Sequence, residues 1–157
     1  AWSPGDDFDI EFDFQGIQWS SYKELVIDFE TDAQNTTGVA QDDVTSPKNY
    51  EDTWIARLGF EYRLSGTGLA LRGGYFYDNN PVPDKHLEPL LPDADRHGLN
   101  IGLGFDLIPG ITLDVAYLHM IILDRVTEST SFPGGVYMDG LYTGSANLLA
   151  VNITYAL

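Results

Sequence analysis

Apolar residues occupy every second position in two segments, 69–78 and 99–105, that flank a long central stretch of the chain. A period of two is typical of a β-strand, because successive side chains point to opposite faces. One face of each strand would carry Leu and Tyr, and the other face small or polar residues. The stretch between them has no regular alternation and is stiffened by four prolines, Pro81, Pro83, Pro89 and Pro92. The sequence therefore predicts two strands joined by a long, stiff loop.

Further segments with the same alternation bring the predicted number of strands to seven. They span residues 7–19, 22–30, 53–64, 69–78, 99–105, 111–123 and 146–157. In the first of them the apolar positions shift from even to odd after Gly16, which predicts a β-bulge at that glycine. The predicted fold class is all-β and antiparallel.

The composition narrows the classes of protein to which such strands can belong. The 24 Asp and Glu against 8 Lys and Arg give a net charge of −16, which argues against nucleic acid as a partner. Without cysteine, disulfides and thiolate metal sites do not arise. No apolar run is long enough to predict a transmembrane helix. The opening residues, AWSPGDDF, lack a basic region followed by an apolar core, so we expect no signal peptide here and a mature chain or a fragment.

The predicted connections alternate between short and long, and the strands approach the roughly 9–11 residues that cross a bilayer. Outer-membrane barrels combine such strands with short periplasmic turns and long external loops. This pattern favours a transmembrane β-barrel with its C-terminus on the periplasmic side and its N-terminus at an external loop. A soluble β-sandwich also alternates apolar and polar residues, and it stays open as an alternative at this point. Aromatic residues near the predicted strand ends would form interfacial girdles; they are Trp19, Tyr22, Trp54, Tyr62, Tyr77, Tyr117 and Tyr155.

Six short segments stand out as motifs: WSSYKEL at 19–25, WIARLG at 54–59, LRGGY at 71–75, NPVP at 80–83, LPDADR at 91–96 and GLGF at 102–105. They resemble motifs in the C-terminal part of FadL-type outer-membrane transporters, the family that takes up long-chain fatty acids and other hydrophobic compounds. The NPVP and LPDADR segments, at this spacing in one predicted loop, are the most specific of them. The resemblance extends over most of residues 7–157.

The resemblance implies a barrel of about fourteen strands that is plugged by an N-terminal hatch. Seven predicted strands cannot close a barrel of that size, and the chain offers no hatch. We therefore expect residues 1–157 to be the C-terminal portion of a larger barrel in the bacterial outer membrane, surrounded by its lipid, with no separate domain. Another chain or an N-terminal half would complete the barrel. The chain ends in Leu157, where such barrels usually end in Phe.

Arg57 and Arg72 are predicted in the middle of neighbouring strands, on the polar face. They are candidates for binding the carboxylate of a ligand, because a guanidinium holds a carboxylate through charge-assisted hydrogen bonds. The alternative is that they pair with acids of the same wall, which would be Glu61, Asp78, Asp106 or Asp114. Phe76, Leu118 and Met120 are apolar residues on the polar face, and they would line a pocket for a hydrophobic ligand or pack against the hatch.

Five residues of the proline loop are expected to have structural roles, as stiffeners, ion-pair partners or loop caps: Pro81, Pro83, Asp93, Asp95 and Arg96. His86 and His97 share that predicted loop and are expected to be ordinary polar residues, because two histidines without a third ligand do not make a zinc site. His119 is predicted to point outward near the membrane interface. Calcium binding by the acidic loops would need a ligand geometry that no motif supplies, so no cofactor is predicted.

No arrangement of nucleophile, base and acid indicates catalysis, so the chain is predicted not to be an enzyme. The leading prediction is a channel for passive uptake of hydrophobic small molecules such as long-chain fatty acids. Two alternatives stay open at this point. One is a structural or adhesive outer-membrane barrel whose long loops bind a partner, and the other is a soluble, acidic, calcium-binding β-sandwich.

Overall fold

A computed structural model describes residues 1–27, 44–87, 93–127 and 139–156. These ranges contain two single-turn 3-10 helices, Trp19–Ser21 and Asp84–His86, and no helix in them is long and apolar enough to cross a membrane. They also contain nine strands, namely β1 (Trp2–Gly5), β2 (Phe8–Ile17), β3 (Glu24–Ile27), β4 (Val44–Pro47), β5 (Thr53–Leu64), β6 (Leu69–Asp78), β7 (Arg96–Ile108), β8 (Ile111–Thr127) and β9 (Gly140–Tyr155).

Seven of the strands form one antiparallel sheet in the order β1-β2-β5-β6-β7-β8-β9. The remaining two, β3 and β4, pair with each other in a separate sheet. Apart from that insertion, every strand pairs with its neighbours along the chain, as in the wall of an up-and-down barrel. The predicted fold class, all-β and antiparallel with seven strands in one wall, is confirmed.

The prediction for segment 22–30 is wrong, because this segment does not join the main sheet. Only β3 is a strand there, and it pairs with β4; residues 28–30 lie outside the described ranges. The seventh place is taken by β1, which pairs with β2 across the turn at Asp6 and Asp7. A four-residue edge strand that reads WSPG is too short to show an alternation, and its proline is tolerated only at an edge.

The direction predicted for the first strand is also wrong. Phe8 faces Tyr62, so β2 begins at the end of the sheet where the short turns lie. The prediction treats residues 20–21 as a short turn, whereas 18–52 is one long connection that contains β3 and β4. The predicted alternation is nevertheless confirmed, with short connections at 6–7, 65–68 and 109–110 and long ones at 18–52, 79–95 and 128–139. We call the two ends of the sheet the short-turn end and the long-connection end.

The bulge predicted at Gly16 is not found, because the register of β2 with β5 is continuous over Phe8–Ile17. The apparent shift of the apolar positions marks only the end of the strand, since Trp19 already belongs to a 3-10 turn. Register shifts occur instead between Asp106 and Ile108 in β7 and between Ile122 and Arg125 in β8.

The registers bring the apolar positions of neighbouring strands onto one face. Leu58 faces Tyr75, which faces Leu99, and side chains directly opposite each other share a face. We call this the outward face; on it Leu99 is 53% and Ile153 is 67% exposed. The opposite, inward face is rich in polar residues and glycine. A sheet with such a large exposed apolar face is typical of a wall that contacts lipid.

The tightest packing lies in the connection between β6 and β7. Val82, Leu87 and Ala94 are buried there, and so is Pro81. We call residues 79–87 and 93–95 the loop cap. The only other sheet in the described ranges has two four-residue strands, so a second layer comparable to the main sheet, which a β-sandwich requires, is not found there.

Candidate functional site

The inward face brings three predicted site residues together in the middle of the sheet. Arg57 faces Phe76, Phe76 faces Gly98, and Gly98 faces Met120, so these side chains form one row across β5 to β8. Leu118 lies in the adjacent row, opposite Leu148 of β9. The row positions place an apolar patch on β6, β8 and β9 within a polar face. We call Phe76, Leu118, Met120 and Leu148 the inward apolar patch.

The patch is continuous because the ring of Phe76 lies over the backbone of β7 at Gly98. A Cβ atom added to Gly98 would stand 2.0 Å from Phe76 Cε1 and 2.4 Å from its Cζ. No side chain larger than hydrogen fits under the ring in this position. Gly98 therefore allows the ring of Phe76 in β6 to reach across β7 toward Met120 in β8.

Arg57 lies at the edge of the inward apolar patch. Its Nη1 and Nη2 donate to Gln15 Oε1 at 3.2 and 3.3 Å. Asp13 is its cross-strand neighbour in β2, yet within the described ranges no carboxylate forms an ion pair with Arg57. The guanidinium is thus held by a neutral amide oxygen, and its charge is not neutralised by a direct partner there.

Arg72 has a different environment, because two carboxylates hold it. Its Nε donates to Glu61 Oε2 at 2.5 Å and its Nη1 to Asp114 Oδ1 at 2.6 Å. Arg63 shares Glu61 at 2.7 Å and also pairs with Asp9. The result is a chain of ion pairs across β2, β5, β6 and β8, with Glu61 and Asp114 among the acids named from the sequence as alternative partners.

Arg72 reaches Asp114 by crossing β7 at a glycine. A Cβ atom on Gly104 would stand 2.8 Å from Asp114 Oδ1 and 3.0 Å from Arg72 Nη1. The side chains of the pair are 41% and 27% exposed, so the ion pair lies on the open surface of the wall. Its contribution to the free energy of unfolding is small on that account, about 0–1 kcal/mol.

Arg57 and Phe76 also line a groove of about 480 Å³ that extends over β2, β5 and β6. Its charged lining residues are Asp9, Glu11, Asp13, Arg57, Glu61 and Arg63. Its uncharged lining includes Leu58, Phe60, Tyr75, Phe76 and Asn100. Acids outnumber bases in this lining, so the feature that suits the head of an amphipathic acid is the guanidinium of Arg57, and the inward apolar patch suits its tail.

The loop cap is tied to β8 by Arg125, which the sequence analysis does not identify. Its Nε donates to Asp84 Oδ1 at 2.8 Å and its Nη2 lies 2.8 Å from the same oxygen. Nη1 donates to Asn80 Oδ1 at 2.9 Å and to Asp93 O at 2.7 Å, and Nη2 also donates to Val82 O. All five N–H groups of a guanidinium can thus be used.

A bulge explains why sequence alternation does not reveal this role of Arg125. The register shift between Ile122 and Arg125 adds one residue to β8, so that Arg125 faces Tyr142 on the inward side. By simple alternation from Ile122 an odd-numbered residue would point outward. The prediction also places residue 125 in a loop, whereas β8 extends to Thr127.

The residues predicted to organise the proline loop contact one another in the loop cap. Asp95 accepts hydrogen bonds from Tyr77 Oη at 2.5 Å and from the backbone and side-chain nitrogens of Asn80 at 2.9 and 3.0 Å. Burial raises the pKa of Asp95, but these hydrogen bonds and the charge of Arg125 outweigh it and lower the pKa below its usual value. The structural roles expected of Asp95 and the other four loop residues stay a prediction.

The other predicted loop residues connect the cap to the strands and to the connection beside it. Arg96 pairs with Asp78 at 2.9 Å and more distantly with Asp93 at 3.7 Å. Pro81 is buried, and its carbonyl accepts from Glu51 N at 2.9 Å, while Pro83 is half-buried just before the second 3-10 turn. The cap is therefore fixed both to β7 and to the connection that leads into β5.

The histidines occupy three different environments. His97 lies in β7 rather than in the predicted loop, and it contacts the rings of Tyr75 and Tyr77 on the outward face. His86 lies in the cap, with its Nε2 3.1 Å from Asn49 Nδ2. His119 is on the outward face of β8, opposite Asn147. Within the described ranges no three His, Asp or Glu side chains are grouped to hold a metal ion.

The chain resembles known proteins of one kind along its whole length. Residues 1–157 match the family described as outer membrane protein transport protein (OMPP1/FadL/TodX). The chain is 27% identical over 150 residues to a 47 kDa outer membrane protein of Pasteurella multocida (strain Pm70), which covers 96% of this chain and 31% of that protein. The fold matches a crystal structure of a Pseudomonas aeruginosa FadL homologue with a TM-score of 0.83 at 23% identity, over 98% of this chain and 33% of the other. The chain thus spans about a third of the length of either protein.

Proposed function

The chain belongs to the OMPP1/FadL/TodX family of outer membrane transport proteins, and from this premise we propose that it forms part of the wall of a channel for passive uptake of hydrophobic small molecules. Membership of the family confirms the resemblance inferred from the sequence and the location in the bacterial outer membrane. It also agrees with the prediction that the chain is not an enzyme. The observation that carries the proposal is the inward apolar patch, because adjoining apolar side chains on an otherwise polar face offer a surface to a hydrophobic ligand.

The proposed ligand is an amphipathic acid such as a long-chain fatty acid. Its apolar chain lies over Phe76, Leu118 and Met120. Burial of apolar surface there contributes about 25 cal/mol per Å² to the free energy of binding. Its carboxylate meets Arg57, whose present partner is the neutral side chain of Gln15. Arg72 is the weaker of the two predicted contacts, since Glu61 and Asp114 already neutralise it.

An uptake assay with two ligands tests this assignment. The ligands are a long-chain fatty acid and the alcohol of the same chain length, offered to the complete protein in vesicles. Arg57→Gln is expected to lower acid uptake at least about tenfold, the factor that one hydrogen bond to a charged group supplies, with little effect on the alcohol. Arg72→Gln is the matched control and is expected to change the acid-to-alcohol ratio less than twofold. Equal loss of both ligands in Arg57→Gln would show that Arg57 does not bind the carboxylate.

Mutations of the patch separate transport from simple adhesion. Replacing Met120 by Gln keeps the volume and puts an amide in the apolar row. We expect it to lower the uptake of acid and alcohol alike, because both ligands carry the same apolar chain. An outer-membrane barrel that serves only to bind a partner through its loops would give no uptake above that of protein-free vesicles, which would reject the channel. Uptake of both ligands that is unchanged in Met120→Gln would show that the patch does not contact them.

Residues 1–157 are further proposed to be the C-terminal portion of a larger barrel, as the sequence suggests. The main sheet has two edges, β1 and β9, and β1 pairs with β2 no further than Ile10. Unpaired backbone groups are not tolerated in hydrocarbon, so strands from the rest of a longer chain or from another chain must pair with these edges. The mass of the intact protein measures this directly. A closed barrel made of a single species of 17.4 kDa would contradict the proposal.

A further inference from the structure

A polar patch interrupts the outward face on β8 and β9. Tyr117 Oη donates to Asn147 Oδ1 at 2.6 Å, and His119 Nδ1 lies 2.8 Å from the same oxygen. Thr143 and Ser145 continue the outward positions of β9 toward the long-connection end. We call these five residues the outward polar patch. They differ from the outward residues of β9 toward the short-turn end, which are aliphatic or aromatic, namely Leu149, Val151, Ile153 and Tyr155.

The patch lies close to the expected outer boundary of the membrane. Asn147 is eight residues from Tyr155 along β9. With a rise of about 3.3 Å per residue and a strand tilt of about 40°, Asn147 lies about 20 Å above Tyr155 along the membrane normal. The apolar band of an outer-membrane barrel is about 25 Å tall. The outward polar patch is therefore at the level where acyl chains give way to headgroups.

The chemistry of the patch is that of neutral hydrogen bonding. In the described strands, from the short turns up to the β8 bulge, the outward positions carry no Asp, Glu, Lys or Arg. The bonds within the patch use Oδ1 of Asn147 and Nδ1 of His119, and so leave Nδ2 and Nε2 for other partners. A phosphate headgroup calls for a cation, whereas a sugar needs only donors and acceptors.

We propose that the outward polar patch binds the uncharged, hydroxyl-rich headgroup of a membrane glycolipid. The inference uses the outer-membrane location and not the transport function. Sugar hydroxyls accept from Asn147 Nδ2 and bond to Ser145, while an acyl chain of the same lipid lies along Leu149, which is 73% exposed. A protein partner is the less suitable occupant, because it needs about 800 Å² of matched surface on each side and, among the described strands, the patch covers only β8 and β9.

Native mass spectrometry of the complete protein from micelles tests the proposal. The micelles contain equal amounts of a monoglucosyl diacylglycerol and a phosphatidylglycerol with the same acyl chains. The unmodified protein is expected to retain the glucosyl lipid at least about fivefold more, the factor that one net hydrogen bond supplies. A variant with His119→Leu and Asn147→Leu is expected to retain both lipids equally. Val151→Leu, on the same face of β9, is the control and keeps the preference.

Two checks keep the outcome clear. Heat-modifiable migration on gels establishes that each variant forms a barrel, and Tyr117→Phe removes a single hydroxyl with the least risk to folding, so it is expected to weaken the preference partially. Equal retention of the two lipids by the unmodified protein, or a preference for phosphatidylglycerol, would overturn the proposal. A dimer that disappears in the double variant would overturn it as well, since a second copy would then occupy the patch.

Discussion

The guanidinium of Arg125 in β8 and the carboxylate of Asp84 in the loop cap lie 2.8 Å apart, although 41 residues separate them in the chain. The side chain of Arg125 is only 11% exposed, whereas that of Asp84 is 73% exposed. The less solvated partner therefore depends on the backbone oxygens of Val82 and Asp93 as much as on the carboxylate. Arg125 holds together the two halves of a loop cap that flank residues 88–92.

Replacing Arg125 should loosen the loop cap without disturbing the sheet. We expect Arg125→Ala to lower the free energy of unfolding of the cap by about 1–3 kcal/mol, the cost of leaving buried carbonyl groups unsatisfied. Limited proteolysis should then cut within residues 79–95 at least tenfold faster. Arg125→Lys is the matched control: it keeps the charge but cannot reach all the acceptors at once, so an intermediate rate is expected. Unchanged cleavage in both variants would show that the cap is held by its apolar contacts alone.

Gly98 should be unable to accept a methyl group while Phe76 keeps its place. Gly98→Ala is expected to displace the ring and destabilise the barrel by about 1–3 kcal/mol, as overpacking does. Gly16→Ala is the control, because a Cβ atom there meets nothing within 4 Å. A double variant of Gly98→Ala with Phe76→Leu should recover stability, and the measured coupling tests the contact. Additive effects of the two substitutions would show that the ring does not lie over the glycine.

Removing one of its two acids should make Arg72 available to a ligand. We expect Asp114→Asn to raise the ratio of fatty acid uptake to alcohol uptake about two- to fivefold, because Arg72 keeps only Glu61 as a direct charged partner. Asp9→Asn is the control, since it removes a partner of Arg63 and not of Arg72. If both substitutions change the ratio equally, the overall charge of the wall determines the effect and Arg72 has no specific part in it.

The loop cap should lose stability in acid through Asp95. Hydrogen bonds from Tyr77 and Asn80 and the charge of Arg125, acting against burial, place the folded pKa of Asp95 below its ordinary value. A carboxylate of this kind stabilises the fold above its unfolded pKa of about 4, and the contribution is lost as the pH falls through the folded pKa. We expect pepsin to cleave the cap increasingly as the pH falls below about 4. Asp95→Asn should be cleaved faster than the unmodified protein at pH 5 and equally fast at the lowest pH. A constant difference at every pH would exclude titration of Asp95 as the cause.

Alternation was sufficient to predict the two faces of the sheet, because β2 and β5–β9 keep a period of two between the register shift at Asp106 in β7 and the one at Ile122 in β8. It placed Arg57, Phe76 and Met120 on one face, and the registers show that these residues also share one row. It could not find β1, since four residues with a proline carry no period, or separate β3 from the main sheet, because a strand's partner is not encoded in its own pattern.

The contacts of long sequence separation were beyond sequence reasoning for a physical reason. Arg125 lies 41 residues from Asp84 and 32 from Asp93, and it reaches both only because one extra residue turns it inward. The difference between Arg57 and Arg72 likewise depends on which acids lie within reach across a glycine, which the alternation of a strand does not specify.

The extra residue in β8 decides on which face the end of the strand presents each side chain. If β8 continued past Ile122 without the bulge, Arg125 would point to the lipid and Val126 to the interior, with no change in the chemistry of either side chain. Deleting Asp124 would remove the extra residue and leave Arg125 two positions after Ile122, so Arg125 would stay on the inward face. The attachment of the loop cap therefore depends on spacing within β8 as well as on the guanidinium itself.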